Sequence, residues 1–302
     1  DSEPVDVTPA PTTEAPTTEA PTTEAPTAPP IEPVTIDLVS IGDMLMHGGA
    51  SVPALQADGS YNYDYLFANV LDEIQAADIA VVNQEVVFAG NHLGILGYPQ
   101  FNVMTEQGDA LVKAGFDVVL HATNHTMDQG AAGVHNTLEF WKKHPDTTVL
   151  GIHENEESYN TVNIMEVDGI KVALLNYTYG LNGFNLPANE PYLVDLMNEW
   201  STDKMTADLK YANENADFVV VFPHWGTEYN LGTDSSQEKW VQIFLEEGVD
   251  LVLGAHPHVI EPIEWVSDEN GKEMLVYYSL GKFVNGTSST GHGVTNRMVG
   301  GI

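Results

Sequence analysis

Cysteine is absent from the 302 residues, which removes disulfides, thiolate metal sites and cysteine nucleophiles at once. Any metal must therefore be held by His, Asp, Glu or Asn. Basic residues are scarce: 10 Lys plus Arg stand against 44 Asp plus Glu, a formal net charge of −34, and Arg297 is the single arginine. Direct nucleic-acid binding is excluded on that balance, because it rests on Lys and Arg neutralising phosphates. No apolar run approaches the length of about 18 residues that a membrane span needs. Apolar residues nevertheless make up 43% and aromatics 9%, enough to bury a sizeable core, so a wholly disordered chain is excluded too.

Residues 1–33 differ from the rest. Three copies of PTTEA run from Pro11 to Ala25 and are followed by PTAPP. Pro, Thr and Glu without aromatic partners cannot bury enough apolar area to offset ordering entropy, so this stretch is expected to be a disordered linker, a generic spacer or a stalk on a secreted bacterial-type protein. It carries seven acidic and no basic residues, leaving 37 acidic against 10 basic in the remainder. The acidity thus belongs to the folded part. The chain begins at Asp1, which fits an extracellular, cell-surface or membrane-anchored protein whose N-terminal segment has been removed.

From Val34 onward short β-branched runs alternate with helical patterns. Strands are expected at Val34 to Gly42, Asp78 to Asn83, Phe116 to Ala122, Lys171 to Tyr179, Asp217 to His224, Val249 to His256 and Met274 to Leu280. Helices are expected at Tyr65 to Ala76, Thr105 to Ala114, Ala131 to Lys143, Asn198 to Asn215 and Ser235 to Glu247. Runs apolar at consecutive positions suit strands buried on both faces, and the alternation argues for an α/β domain over 34–302.

Polar, ligand-type residues follow these strands. GDMLMH supplies Asp43 and His47; NQE supplies Asn83 and Glu85; HATNHTMDQG supplies His121, Asn124, His125 and Asp128. Further on, PHWGTEY supplies His224, Glu228 and Tyr229, and GAHPH supplies His256 and His258. In open α/β sheets ligands bind at the carboxyl ends of strands, so these segments can converge on one site. Pro257 disfavours a helical His256, and in an extended chain residues two apart face the same side, which aims both imidazoles of His256-Pro257-His258 at one cavity. Imidazole and carboxylate together suit divalent metals.

Each segment also has a plainer reading. Asp43 fits a turn, Asp128 fits a helix cap near Ala131, and His224 fits a buried core histidine. Glu228 and Tyr229 are expected to orient His224 as supporting residues, Glu261 and Glu264 to be solvated, and His92, His135, His144, His153 and His292 to lie on the surface. His121 is open between core and site. A sugar-binding wall module would instead use Trp225 and Tyr229 as stacking residues.

Taken in order, GDMLMH, NQE, ATNHTMDQG, PHWGTEY, GAHPHVIEPIE and YYSLGKF resemble the CapA/PgsA family of bacterial capsule or poly-γ-glutamate synthesis proteins, which share the calcineurin-like metallophosphoesterase fold. The resemblance runs from about Val34 to Val284. It implies a four-layer α/β/β/α sandwich of the metallophosphatase type and two divalent ions (manganese, zinc or iron) held by Asp43, Glu85, Asn124, His224, His256 and His258. His125 is implied as the acid or orienting histidine, with Asp128 beside it in a catalytic role, and Asn83 as a supporting residue. The usual opening of related phosphoesterases is Asp-x-His, from which this chain departs with Asp43 and then His47, leaving His47 as an additional ligand candidate. Glu85 is one methylene longer than the usual Asp, and Lys282 replaces the Asn of SLGNF and is given no role. The implied activity is metal-dependent hydrolysis of a phosphate ester or related bond; a non-catalytic scaffold or polymer-binding component is the alternative. Implied partners are an anionic polymer or phosphate-containing substrate and membrane-bound capsule synthesis components. The family also implies sequence beyond the SLGNF-like region, with Met298 to Ile302 opening a further strand in a chain truncated at its C-terminus.

Overall fold

The computed structural model describes residues 33–199, 201–285 and 301–302. Residues 1–32 of the expected linker therefore lie outside the described residues, as does His292. Two sheets carry the fold. The first has five strands in the order β11-β1-β2-β3-β4: β1 is Leu38–Leu45, β2 Ile79–Asn83, β3 Val118–Leu120, β4 Thr148–Leu150 and β11 Lys282–Asn285. All its ladders are parallel. The second has six strands in the order β5-β6-β7-β8-β10-β9: β5 Asn163–Val167, β6 Ile170–Thr178, β7 Phe218–His224, β8 Leu251–Leu253, β9 Ile263–Ser267 and β10 Glu273–Tyr277. Its centre is parallel and its two edge pairs are antiparallel.

The sheets pack face to face. Ile79, Val81, Val118 and Leu120 from one interlock with Val172, Leu174, Val220 and Phe222 from the other in a single buried cluster. Among the described residues seven α-helices accompany them: α1 Gly48–Ser51, α2 Leu71–Ala76, α3 Glu106–Ala114, α4 Gly130–Trp141, α5 Glu156–Tyr159, α6 Thr202–Asn215 and α7 Ser235–Glu246. The outer face of the first sheet is covered by Ile74, Leu111, Phe140 and Trp141 of α2, α3 and α4. Met205 and Leu209 of α6 with Trp240, Val241, Phe244 and Leu245 of α7 cover the second. The result is the four-layer α/β/β/α sandwich that the sequence resemblance implies.

Local sequence explains the helix bounds. Asp234 accepts hydrogen bonds from the Ser236 and Gln237 amides at 2.9 and 3.0 Å while its own amide donates to Gln237 Oε1, a capping box that starts α7. Gly115, at φ 101°, ends α3 by donating to Leu111 and Val112, a left-handed stop that suits glycine. The first expected helix shrinks to Leu71–Ala76, because residues 64–66 wind into a short 3-10 turn. Four strands were not expected: β4, β5, β9 and β11. The β5–β6 hairpin turns through Asp168 and Gly169 at φ 49° and 83°, the left-handed pair that Asp-Gly favours.

The strand expected at Met298 to Ile302 falls mostly outside the described residues. Within them, Ile41 bridges Gly301 antiparallel, and Ser40 and Ile302 exchange backbone hydrogen bonds at 2.8 and 2.9 Å.

Candidate metal centre

The parallel strands end on one edge, and side chains from β1, β2, β7 and the loops after β2, β3 and β8 meet there. Asp43 lies inside β1, which runs on to Leu45, and not in a turn after it. Its carboxylate is fully buried. Oδ1 accepts from Asn83 Nδ2 at 2.8 Å and from the His256 amide at 3.2 Å, and Oδ2 accepts from His258 Nδ1 at 2.7 Å. Burial alone would raise the Asp43 carboxyl; the hydrogen bond and charge of His258, then the charge of His224 and the Asn83 amide, outweigh it and hold the group below its ordinary value.

Glu85 is equally buried and has the opposite environment. Neither of its carboxylate oxygens has a hydrogen-bond partner among the described residues. Oε1 stands 3.6 Å from His224 Nε2 and 3.8 Å from His258 Nε2. Burial pushes the carboxyl up to about 7, with Asp43 adding to the shift and His258, His125 and Lys282 opposing it.

His224 Nε2 donates to Asn124 Oδ1 at 2.9 Å, and burial lowers the imidazole to about 4. His256 is held well below its usual range by burial and by His224, His258 and His125, and its Nδ1 is unpartnered. The expected extended conformation at His256-Pro257-His258 is not what forms: β8 stops at Leu253, and His256 and His258 take φ 96° and 62°. The His256 amide is drawn to Asp43 Oδ1, a contact across the fold that local chain preference does not foresee. The imidazoles still end 5.7 Å apart, centroid to centroid.

These donors fall into groups whose ligand atoms lie within 4.8 Å of one another: Asp43, Glu85 and His258; Glu85, His224 and His256; and Glu228, His256 and His258. The first two share Glu85. Buried polar atoms are ordinarily paired, so two bare carboxylate oxygens and a bare imidazole nitrogen beside further histidines form a donor set that fits divalent cations.

Beside it, His125 Nδ1 donates to Asp128 Oδ2 at 2.7 Å, and the same oxygen accepts the Phe101 amide at 2.7 Å. Burial works against protonating His125, but the Asp128 hydrogen bond and the charges of Glu85, Asp128 and Glu228 raise it. Asp128 is therefore not a helix cap; the cap position of α4 is Gln129. His47 is half-buried, edge-on to Phe101 at 5.0 Å, lowered to about 4 by burial and by Lys282, His258 and His125, and outside the three convergent groups.

Other expectations change. Glu228 does not orient His224: it is exposed and groups with His256 and His258. Tyr229, at φ 60°, donates its amide to Pro257 and packs 5.8 Å from the His258 ring. Trp225 is fully buried with Nε1 donating to Tyr278, so it offers no stacking surface to a sugar. Glu261 is buried, accepts from Gln237 Nε2 at 2.7 Å and is pushed up to about 7 by burial. His121 is core, accepting from Trp141 Nε1 at 2.8 Å and lowered by burial to about 3. His153 is buried against Asp195 at 2.7 Å and not on the surface. Three site neighbours escaped sequence reasoning. Tyr179 and Asn182 follow β6, where the strand-end rule already pointed: the Tyr179 ring is 4.8 Å from His256, and Asn182 Oδ1 accepts from Asn124 Nδ2 at 3.1 Å. Lys282, the third, is 1% exposed.

With this geometry in place, comparison with known proteins assigns the family. Residues 37–287 match the family model "Bacterial capsule synthesis protein PGA_cap". The chain belongs to this family. Among relatives of the PGA_cap chain, the capsule biosynthesis protein CapA of Bacillus anthracis is 28% identical over 82% of this chain and 59% of its own length. The PGA biosynthesis protein CapA of Bacillus subtilis (strain 168) is 29% identical over 85% of this chain and 66% of its own. The chain thus spans about three fifths to two thirds of these relatives. A solved Staphylococcus aureus protein, named as a candidate 5′-nucleotidase and bound to alpha-ketoglutarate, aligns with a TM-score of 0.51 at 16% identity over 84% of this chain and 56% of its own. That likeness concerns the fold, which is of the metallophosphatase type.

Proposed function

We propose that this PGA_cap chain is a metal-dependent hydrolase of a phosphate ester or related bond, acting in synthesis or export of an anionic capsule polymer of the poly-γ-glutamate kind at the cell surface. The observation that carries the reading is Glu85: a buried carboxylate with both oxygens bare, shared by two histidine-containing donor groups. Asp43, Glu85 and His258 would hold one divalent ion; Glu85, His224 and His256, with Asn124 beside His224, would hold the second. Such ions, when bound, generate a nucleophile from water near neutral pH and stabilise charge developing on the transferred group.

The chain's own residues supply the rest. Asp128 fixes the His125 ring through Nδ1, leaving Nε2 to give a proton to the leaving group. Asn83 holds Asp43 in its rotamer. The −34 charge repels an anionic substrate, and bound cations invert that field locally, so anion binding depends on the ions. The relatives' names as capsule and PGA biosynthesis proteins support the polymer context, with membrane-bound synthesis components as partners and residues 1–33 as the spacer between the anchor and the domain at 34–302.

The test is hydrolysis of generic phosphate esters by the full chain with added manganese or zinc. Turnover lost in Asp43→Asn and in His224→Ala supports the hydrolase. Absence of turnover, with polymer binding that survives both substitutions, overturns it in favour of a non-catalytic polymer-binding scaffold, the reading that names based on synthesis and not hydrolysis would favour.

A further inference from the structure

Lys282 is the only buried lysine among the described residues. It opens β11 directly opposite Asp43 in the parallel pairing with β1. Its ammonium donates to Tyr229 Oη at 3.0 Å and stands 5.0 Å from the centre of that ring. Tyr229 is in turn tied to the His256-Pro257-His258 loop through the Pro257 carbonyl at 2.8 Å and packs on His258, which returns to Asp43 at 2.7 Å. Asp43, Lys282, Tyr229 and His258 thus close a circuit joining four separate chain segments. Burying an ammonium is costly unless opposite charge lies near. Here that charge is Glu85 of the centre itself, on which the lysine's field acts, as it does on His47, while register with Asp43 and the Tyr229–His258 contact place the lysine on the Asp43–His258 side.

We infer that Lys282 is a built-in cation that makes the two ion positions unequal, weakening the Asp43–Glu85–His258 position relative to the Glu85–His224–His256 position. This deepens the metal reading proposed above and rests on it. In the metal-free protein the ammonium offsets the charge of Glu85 and keeps the cluster closed. When a divalent ion enters beside Asp43, the same ammonium repels it through a poorly screened interior. One ion is then resident and the other exchangeable, filling only at higher metal concentration. Lys282 touches no reacting atom in this account: it is a positioning residue that acts through Tyr229 and through its charge.

The effects on metal-free stability and on ion affinity have opposite signs, which a purely structural prop would not produce. Full chain freed of metal by chelation is titrated with manganese by calorimetry, and its metal-free melting temperature is recorded. The wild type is expected to show two steps of unequal affinity. Lys282→Met tightens the weaker step by about tenfold or more, leaves the tighter step within about threefold, and lowers the metal-free melting temperature; Lys282→Arg behaves as wild type. Lys282→Gln serves as a second neutral variant if Lys282→Met does not fold. A weaker step that is unchanged or weakened further in the neutral variants overturns the inference while leaving the metal reading intact. No binding step in any variant overturns the metal reading itself.

Discussion

His153 and His258 each hold a carboxylate oxygen at 2.7 Å in a buried setting, yet the two clusters around them differ in what is left over. His153 and Asp195 lie near a second polar group beside α6. There Tyr177 donates to Asp208 at 3.1 Å and Lys204 pairs with Asp208, and no fully buried side-chain polar atom of these five residues lacks a partner. Around His258 and Asp43, both oxygens of Glu85, one oxygen of Asn83 and a nitrogen of His256 are bare. A histidine–carboxylate contact by itself therefore marks only burial. Unsatisfied donors converging on a shared point mark a site, because a fold otherwise pairs such groups.

The comparison breaks most visibly under paired substitutions. His256→Ala with His258→Ala is expected to reduce metal affinity by more than about a hundredfold, since even partners outside the ligand set cost 10- to 100-fold. His153→Ala should leave metal binding unchanged and cost about 1–3 kcal/mol of stability in a denaturant melt. Metal binding that responds to His153 would erase the distinction. Next in size, His125→Gln should lower phosphate-ester turnover by about 10²- to 10⁴-fold with the metal content of the protein unaltered; loss of metal together with activity would make His125 a ligand instead.

Glu85→Gln sharpens the contrast in another currency. Replacing this buried carboxylate should abolish the stabilisation that added manganese gives to the wild type, read as a shift in melting temperature. A variant that manganese still stabilises would mean that Glu85 holds no ion. The last expected effect is a pH dependence and concerns His121, another buried histidine. Its folded value of about 3 lies below the ordinary 6.5, so between those limits the unfolded chain binds more protons. The stability contribution is complete above pH 6.5 and is lost on acidification at up to about 1.4 kcal/mol per unit. His121→Phe should flatten that part of the pH–stability curve relative to wild type; an unchanged slope would contradict it.

The strand-end rule brought the main site within reach of the sequence. Parallel strands place their carboxyl ends on a common edge, so Asn83, Glu85, Asn124, His125, His224, His256 and His258 could be gathered from separate segments without contact information. Tyr179 and Asn182 obey the same rule and were readable after β6. Lys282 was not: a lysine following Ser-Leu-Gly reads as exposed, and its burial comes from register with Asp43, 239 positions away. His153 is hidden for the same reason, since its partner Asp195 is 42 residues distant. The left-handed backbone of His256 and His258 arises with the Asp43 contact and not from Pro257. In the fold, the buried central strands were visible as apolar runs. The edge strands β5 and β9 mix exposed and half-buried residues and lack that signature.

Crystals of the full chain equilibrated with manganese offer the most direct check of the central claim, through an anomalous difference map recorded at the manganese edge. Two peaks flanking the Glu85 carboxylate are predicted, one against Asp43 and His258 and the other against His224 and His256, with the first peak fading as the manganese concentration is lowered. A map without density at Glu85, or with its strongest peak at the His153–Asp195 pair, would contradict the account.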